Sequence, residues 1–214
     1  MDTQQANVER FNTIASEWDS DPSRVLMAQK VARAMRTALA PSGEEQALEF
    51  GAGTGLVTLL MAAKLAHVTA MDSSAGMLDV LRQKCELKQL TQVDVIEGVV
   101  PDQLPDAQYD LIYSSMTLHH VDDVPALLKT LAGHVKAGGR VALADLDAED
   151  GSFHRESKGV AHHGFARESF AGWLAEAGFG EVQFSTAFTV RRVDDEGAAH
   201  DYPIFLAIAS KLGG

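Results

Sequence analysis

The sequence predicts an α/β fold: a parallel sheet covered by helices on both faces and closed by an antiparallel pair at its C-terminal end. Three observations predict it. From Leu48 onward, short apolar runs alternate with helix-like stretches, the pattern of right-handed crossovers between parallel strands. A glycine loop, "GAGTG" at 51–55, joins the first apolar run to the helical stretch after it. Near the C-terminus, "EVQFSTAFTV" and "YPIFLAIAS" are separated only by "RRVDDEGAAHD", too short for the crossover that parallel neighbours need.

Taken in order, the chain begins with two helices. Val8, Phe11, Ala15 and Trp18 recur at three- and four-residue steps, as do Ala28, Val31, Ala32, Met35 and Leu39, so each set shares one helical face. "DPS" breaks the pair, with Pro22 ending the first and Ser23 placed to cap the second. "APSGEEQ" ends the second helix. "ALEF" then reads as strand 1, "LVTLLMAAKLA" as a helix, "HVTAMD" as strand 2 and "SSAGMLDVLRQKCEL" as the next helix. "VDVIEG" and "YDLIYSS" are strands 3 and 4, "DDVPALLKTLAGHV" a helix and "RVALADLD" strand 5. "RESFAGWLAEAGF" places Phe170, Trp173, Leu174 and Ala177 on one side of a last helix. Val182, Phe184, Phe188 and Val190 occupy alternate positions of the penultimate strand. The acidic pairs at 122 and 194 read as a helix start and a solvated turn. No internal repeat or linker interrupts the series, so residues 1–214 read as a single domain, with 1–40 a helical cap and 44–210 the core.

Composition narrows the function. With 46% hydrophobic residues in 214, a large core is available. A net charge of −12 disfavours a nucleic-acid partner, which would need a broad basic face. Cys85 is the single cysteine and cannot form an internal disulfide, which fits a reducing compartment. The N-terminus lacks a basic, then apolar, leader, and no apolar run is long enough for membrane insertion. A cytoplasmic location is expected.

Glycine at every second position lets the backbone take positive φ and admits a ligand closely, so the loop reads as a cofactor cradle. A dinucleotide site wants G-x-G-x-x-G, but Leu56 stands where the third spaced glycine or alanine would fall. Glu49, beside the loop, would repel a pyrophosphate and suits a ligand carrying an ammonium and a sulfonium. That description fits S-adenosyl-L-methionine. Asp72 ends strand 2, where a carboxylate can accept both ribose hydroxyls; a nicotinamide site wants the same acid.

"LEFGAGTGLVT", "VTAMDSSAGML", "YDLIYSSMTLHHVDD" and "AGGRVALADLD", in this order, resemble class I S-adenosylmethionine-dependent methyltransferases, in particular the small-molecule group that includes quinone-pathway C-methyltransferases. The resemblance implies a Rossmann-like, doubly wound seven-stranded sheet of order 3-2-1-4-5-7-6, with strand 7 antiparallel, under an N-terminal helical lid. It places Glu49, Gly51, Ala52, Gly53 and Gly55 around the methionyl part of the cofactor, and Asp72, Ser73 and Met77 around adenosine. Ser114 and Ser115 would present carbonyls to the cofactor's amino group. Where many relatives have an aspartate reaching adenine, this chain has Val99, so adenine would be read by backbone from Gly98 to Val100, or by Asp102. The lid makes Trp18 and Arg24 cofactor contacts, against packing or surface roles.

The remaining candidates lie at the carboxyl edge of the sheet. His119 and His120 follow strand 4, and the glycine-rich segment 148–166 carries His154, His162 and His163. A long loop at this edge is a natural substrate wall. His119, His120 and His163 are the candidate bases for a small-molecule methyl acceptor. A metal held by the loop histidines with Asp145 or Asp147 matches no standard ligand spacing, so no metal is expected. Two other readings stay open: an S-adenosylmethionine-binding protein without transfer activity, acting as sensor or partner subunit, and a nicotinamide-dependent dehydrogenase.

Overall fold

A computed structural model of the protein describes residues 3–154, 159–193 and 197–213. The predicted first helix is shorter than its periodicity implies: α1 (Thr3–Ile14) gives way to a 3-10 turn at Ala15–Ser20. The cap of α2 (Pro22–Leu39) is Asp21, not Ser23; its carboxylate accepts the Ser23 N–H at 2.8 Å, and Pro22 takes the first helical position, where no N–H is needed. Ala28, Val31, Ala32, Met35 and Leu39 are all buried, each apolar side chain contributing about 1–3 kcal/mol of transfer free energy.

The strands are β1 (Gln46–Phe50), β2 (His67–Asp72), β3 (Val93–Glu97), β4 (Tyr109–Ser115), β5 (Val135–Leu146), β6 (Gln183–Val193) and β7 (Ala199–Ser210). Among the described residues they form one sheet of order 3-2-1-4-5-7-6. β1 to β5 run parallel, and β7 lies antiparallel between β5 and β6, as expected. The helices between them are α3 (Thr58–Ala62), α4 (Ala75–Lys88), α5 (Val124–His134) and α6 (Arg167–Glu176). No helix among the described residues is long and apolar enough to cross a membrane. Two apolar clusters flank the sheet. One joins α2, α3 and α4 through Val31, Met35, Met61, Leu78 and Leu81, and the other joins α5 and α6 through Leu127, Leu131, Phe170 and Leu174.

Three elements depart from the sequence pattern. The helix expected through "LVTLLMAAKLA" keeps only its centre, because the chain must turn early for Ala66 N–H to reach Glu45 O at 3.0 Å and start β2. The "RRVDDEGAAHD" connector is largely strand: Arg191–Asp201, Arg192–His200 and Val193–Ala199 continue the ladder. Its acidic pair at 194 lies outside the described residues. The alternation in β6 is broken by a register shift between Thr186 and Phe188. Phe184 therefore packs with the α5/α6 cluster while Phe188 and Val190 pack with the α2 cluster. A bulge inserts one residue and so exchanges the two faces of a strand.

Candidate active site

The cradle occupies the carboxyl ends of β1, β2 and β4. Gly51, Gly53 and Gly55 all have positive φ (68°, 55° and 80°), for different reasons. A Cβ on Gly51 would fall 2.1 Å from Thr117 Oγ1, and one on Gly55 2.2 Å from Leu81 Cδ1, so these two glycines permit close packing. A Cβ on Gly53 would meet nothing within 4 Å. Gly51 and Gly53 both line the cavity, while Gly55 does not, and the Gly53 N–H donates to Asp72 Oδ2 at 2.7 Å. Asp72 Oδ1 accepts the Ser74 N–H at 2.9 Å. Burial raises the Asp72 carboxyl above its ordinary value against these hydrogen bonds. Ser73, Met77 and Ala52 line the same cavity.

Glu49 is the unpartnered carboxyl of the cradle. It is 2% exposed, and its Oε2 has no hydrogen-bond partner. The hydroxyls of Thr58 and Tyr113 lie beside it, also without partners of normal geometry. Burial pushes its carboxyl up to about 8, since a carboxylate removed from water needs a cation or strong donors to stay charged.

At the far end of the cradle, Gly98, Val99, Val100, Pro101 and Asp102 line the cavity. The Gly98 N–H is spent on Asp72 O (2.9 Å) and the Val99 N–H on the Gln103 side chain (2.8 Å). The expectation of adenine readout by this backbone is thus narrowed, and Asp102 is the carboxylate at that end. Ser115 lines the cavity, but Ser114 does not: it is 1% exposed, with its hydroxyl donating to Phe50 O at 2.8 Å. The reason is the strand's two-residue period, which turns adjacent side chains to opposite faces.

α1 and the 3-10 turn cover the cradle and are tied to it by polar contacts that periodicity does not reveal. Asn12 Oδ1 accepts from Gly76 N–H (2.8 Å) and from the Ser74 hydroxyl (2.7 Å). Asp19 accepts from the Thr54 hydroxyl at 2.6 Å and pairs with Lys84. Asn7 donates to Gly159 O at 2.8 Å. Trp18 and Arg24 both line the cavity, the Arg24 guanidinium lying 4.0 Å from the centre of the Trp18 ring.

Opposite the cradle, three histidines meet. The ring centre of His119 lies 4.2 Å from that of His120 and 4.9 Å from that of His154. His119 Nδ1 is 2.7 Å from Asp145 Oδ1, and His120 Nδ1 is 2.6 Å from Gly159 O. Burial and the neighbouring His119 push His120 down to about 4, and burial pushes His154 down to about 3. His163 is not part of this group. It is about half exposed, sits 3.6 Å from Glu149 and is absent from the cavity wall. The loop folds so that its earlier histidine, His154, points inward instead. Asp147 is taken by a two-bond pairing with Arg167 (2.7 Å each) and His162 by Val121 O (2.9 Å). No cluster able to hold a metal occurs among the described residues.

Cradle and histidines face one cavity of about 1060 Å³, at the upper end of small-molecule sites. Residues 48–143 match a family described as a methyltransferase domain. An uncharacterized methyltransferase of Mycobacterium tuberculosis is 29% identical over 110 residues, 51% of this chain and 55% of that protein. The demethylmenaquinone methyltransferase of Tropheryma whipplei is 30% identical over 137 residues, 63% of this chain and 56% of that protein. The central part of the chain, residues 48–143, is thus similar to methyltransferase domains. The chain spans about half the length of these curated relatives. A solved complex of DhpI with S-adenosylhomocysteine (SAH) shares this fold, with a TM-score of 0.73 at 20% identity over 98% of this chain and 96% of that one. S-adenosylmethionine is the cofactor of such domains, and the residues present fit it. The unpartnered Glu49 Oε2 suits a cationic group, and the open face of Gly53 beside Asp72 suits a ribose.

Proposed function

We propose that this protein is an S-adenosylmethionine-dependent methyltransferase acting on a small organic molecule. The observation that carries the reading is a single cavity with a cofactor cradle at one end and a buried histidine group at the other. The cofactor supplies an electrophilic methyl group on a sulfonium. The chain's own residues hold the cofactor, align the acceptor, exclude water and take up a proton.

Glu49, Gly51, Ala52 and Gly53 form the methionyl side, with Gly55 packed on Leu81 behind them; Asp72, Ser73, Met77 and Asp102 form the adenosine side; Trp18 and Arg24 act from the cap at 1–40 on the core at 44–210. His119 and His120 are the histidines available for proton transfer. Phe11, Phe153, Phe188 and Val190 give the acceptor end apolar walls, which suit an aromatic or quinone-like acceptor of the kind the Tropheryma relative is named for. A net charge of −12 supports a small-molecule rather than a nucleic-acid acceptor. The single buried thiol, Cys85, supports a cytoplasmic setting.

A protein that only binds the cofactor has no use for a cavity large enough to hold an acceptor as well. The test is calorimetric titration with S-adenosylmethionine, SAH and NAD, followed by transfer of labelled methyl groups into a metabolite extract. Binding of the first two, weak NAD binding and labelled product are expected. Tight NAD binding alone, or cofactor binding without any labelled product, overturns the assignment.

A further inference from the structure

The three histidines at the acceptor end are not equivalent. His119 is 2% exposed and Asp145 fully buried. Asp145 Oδ1 faces His119 Nδ1 at 2.7 Å and accepts Leu146 N–H at 2.8 Å, while Oδ2 accepts the His119 backbone N–H at 3.3 Å. Burial alone would raise the Asp145 carboxyl, but the facing His119 and these hydrogen bonds outweigh it and hold it below its ordinary value. An ionised carboxylate at Nδ1 fixes that nitrogen as the donor, leaves Nε2 as the proton acceptor and stabilises the imidazolium once formed. His120 has only a backbone carbonyl at Nδ1, and His154 Nε2 is buried without a partner. Neither ring is hydrogen-bonded to a carboxylate, and Asp145 acts on both only from a distance, too weakly to offset burial.

The dyad depends on the sheet rather than on local sequence. β4 and β5 pair with Ser115 opposite Ala144, so the chain leaving β4 reaches His119 just where β5 presents Asp145.

Resting on the methyltransferase reading, we propose that His119 is the proton acceptor, that Asp145 is its positioning residue, and that the methylated atom is the oxygen of an acidic hydroxyl, a phenol or enol. In this step the acceptor O–H bond breaks and its proton goes to His119 Nε2. The oxygen forms a bond to the methyl carbon, and the electron pair of the broken carbon–sulfur bond stays on sulfur. A neutral amine attacks through its lone pair and needs no base before the transfer, whereas the hydroxyl must give up a proton, which the His119–Asp145 pair is arranged to take; Asp122 and Asp123 line the same cavity beyond His120. The charged and titratable groups facing His119 and its neighbours are Asp145, His120, His154, Arg10 beside His120 and Arg192 beside His154. With both oxygens of Asp145 engaged, the balance favours a group losing a proton over one gaining charge.

The probes are 4-nitrophenol and 4-nitroaniline, which match in shape, offered to protein saturated with SAH. The wild type is expected to show the nitrophenolate absorption band at a pH below that at which the free phenol ionises, and to bind 4-nitroaniline at least about tenfold more weakly. Asp145→Asn should move the midpoint of that band upward by about one pH unit or more, because the imidazolium loses its carboxylate. His119→Gln, which keeps the packing, should abolish the early band. Both variants should retain wild-type affinity for SAH and the wild-type circular dichroism spectrum. Absence of the early band in SAH-bound wild type, its persistence in both variants, or equal binding of the aniline overturns the proposal. Failure to bind SAH at all would instead sink the methyltransferase reading.

Discussion

The two ends of the cavity are built by different means. The cradle end comes from residues 49–77, a stretch in which neighbouring strands end side by side and backbone does most of the holding: Gly53 N–H to Asp72 and Ser74 N–H to Asp72. The acceptor end draws on α1, the turn after β4, the end of β5, the loop at His154 and the tip of β6. Its groups act through side chains whose ionisation depends on one another. The contrast teaches that binding and chemistry here are separable, and substitutions at one end should leave the other intact.

The largest effect is expected from His119→Ala. It should lower turnover by roughly 10²-fold or more while cofactor affinity stays within about twofold, read by steady-state transfer and calorimetry on the same preparation. Asp72→Ala is the mirror case. Each charge-assisted hydrogen bond lost to a ribose hydroxyl costs about 1.5–3 kcal/mol, so affinity for S-adenosylmethionine should fall by tenfold or more. A folded Asp72 variant with unchanged affinity would remove that residue from the site.

Glu49 makes the cradle end sensitive to pH. Its carboxyl stands at about 8 in the folded, cofactor-free chain against an ordinary value of 4.5, so between these values the folded state binds a proton that the unfolded state has released. Stability of the cofactor-free protein should therefore fall as pH rises through that window. A cationic ligand favours the carboxylate, so binding should release a proton and tighten as pH approaches 8. Thermal melts across pH, with and without saturating S-adenosylmethionine, check both signs, and Glu49→Gln should flatten the slope.

A smaller effect is expected at the lid. Asp19→Ala removes the contacts to Thr54 and Lys84, which are partly exposed and so worth about 1 kcal/mol or less. Cofactor affinity should weaken a few-fold, mainly through faster release in stopped-flow measurements. His163→Ala should do least. An exposed histidine outside the cavity leaves turnover and the pH profile unchanged.

The cradle was legible because it is local. Gly51, Gly53 and Gly55 are forced by backbone conformation, and Glu49 and Asp72 stand at positions that strand ends dictate, so pattern alone locates them. Even there, periodicity was silent on Asn12, Asp19 and Lys84, whose roles need a helix to lie across the loop. Ser114 and Ser115 looked alike in sequence, and only the facing of β4 separates a buried hydroxyl bonded to Phe50 O from a residue on the cavity wall.

At the acceptor end, sequence could name histidines but not sort them. His163 was a candidate because it lies in a glycine-rich loop near the carboxyl edge; the path of that loop turns it to solvent beside Glu149 and brings His154 inward. Sequence offers Asp145 only as a metal ligand, since nothing in its neighbourhood links it to His119. By itself the sequence determined the α/β architecture, the glycine loop after β1 and the antiparallel close of the sheet, because strand and helix periods, glycine conformation and connector length are local properties of the chain. Which histidine faces a carboxylate, and which face of β6 meets the cavity, was decided only by tertiary structure: both depend on strand register and on a single inserted residue, and the energies that set them come from burial among partners far apart in sequence.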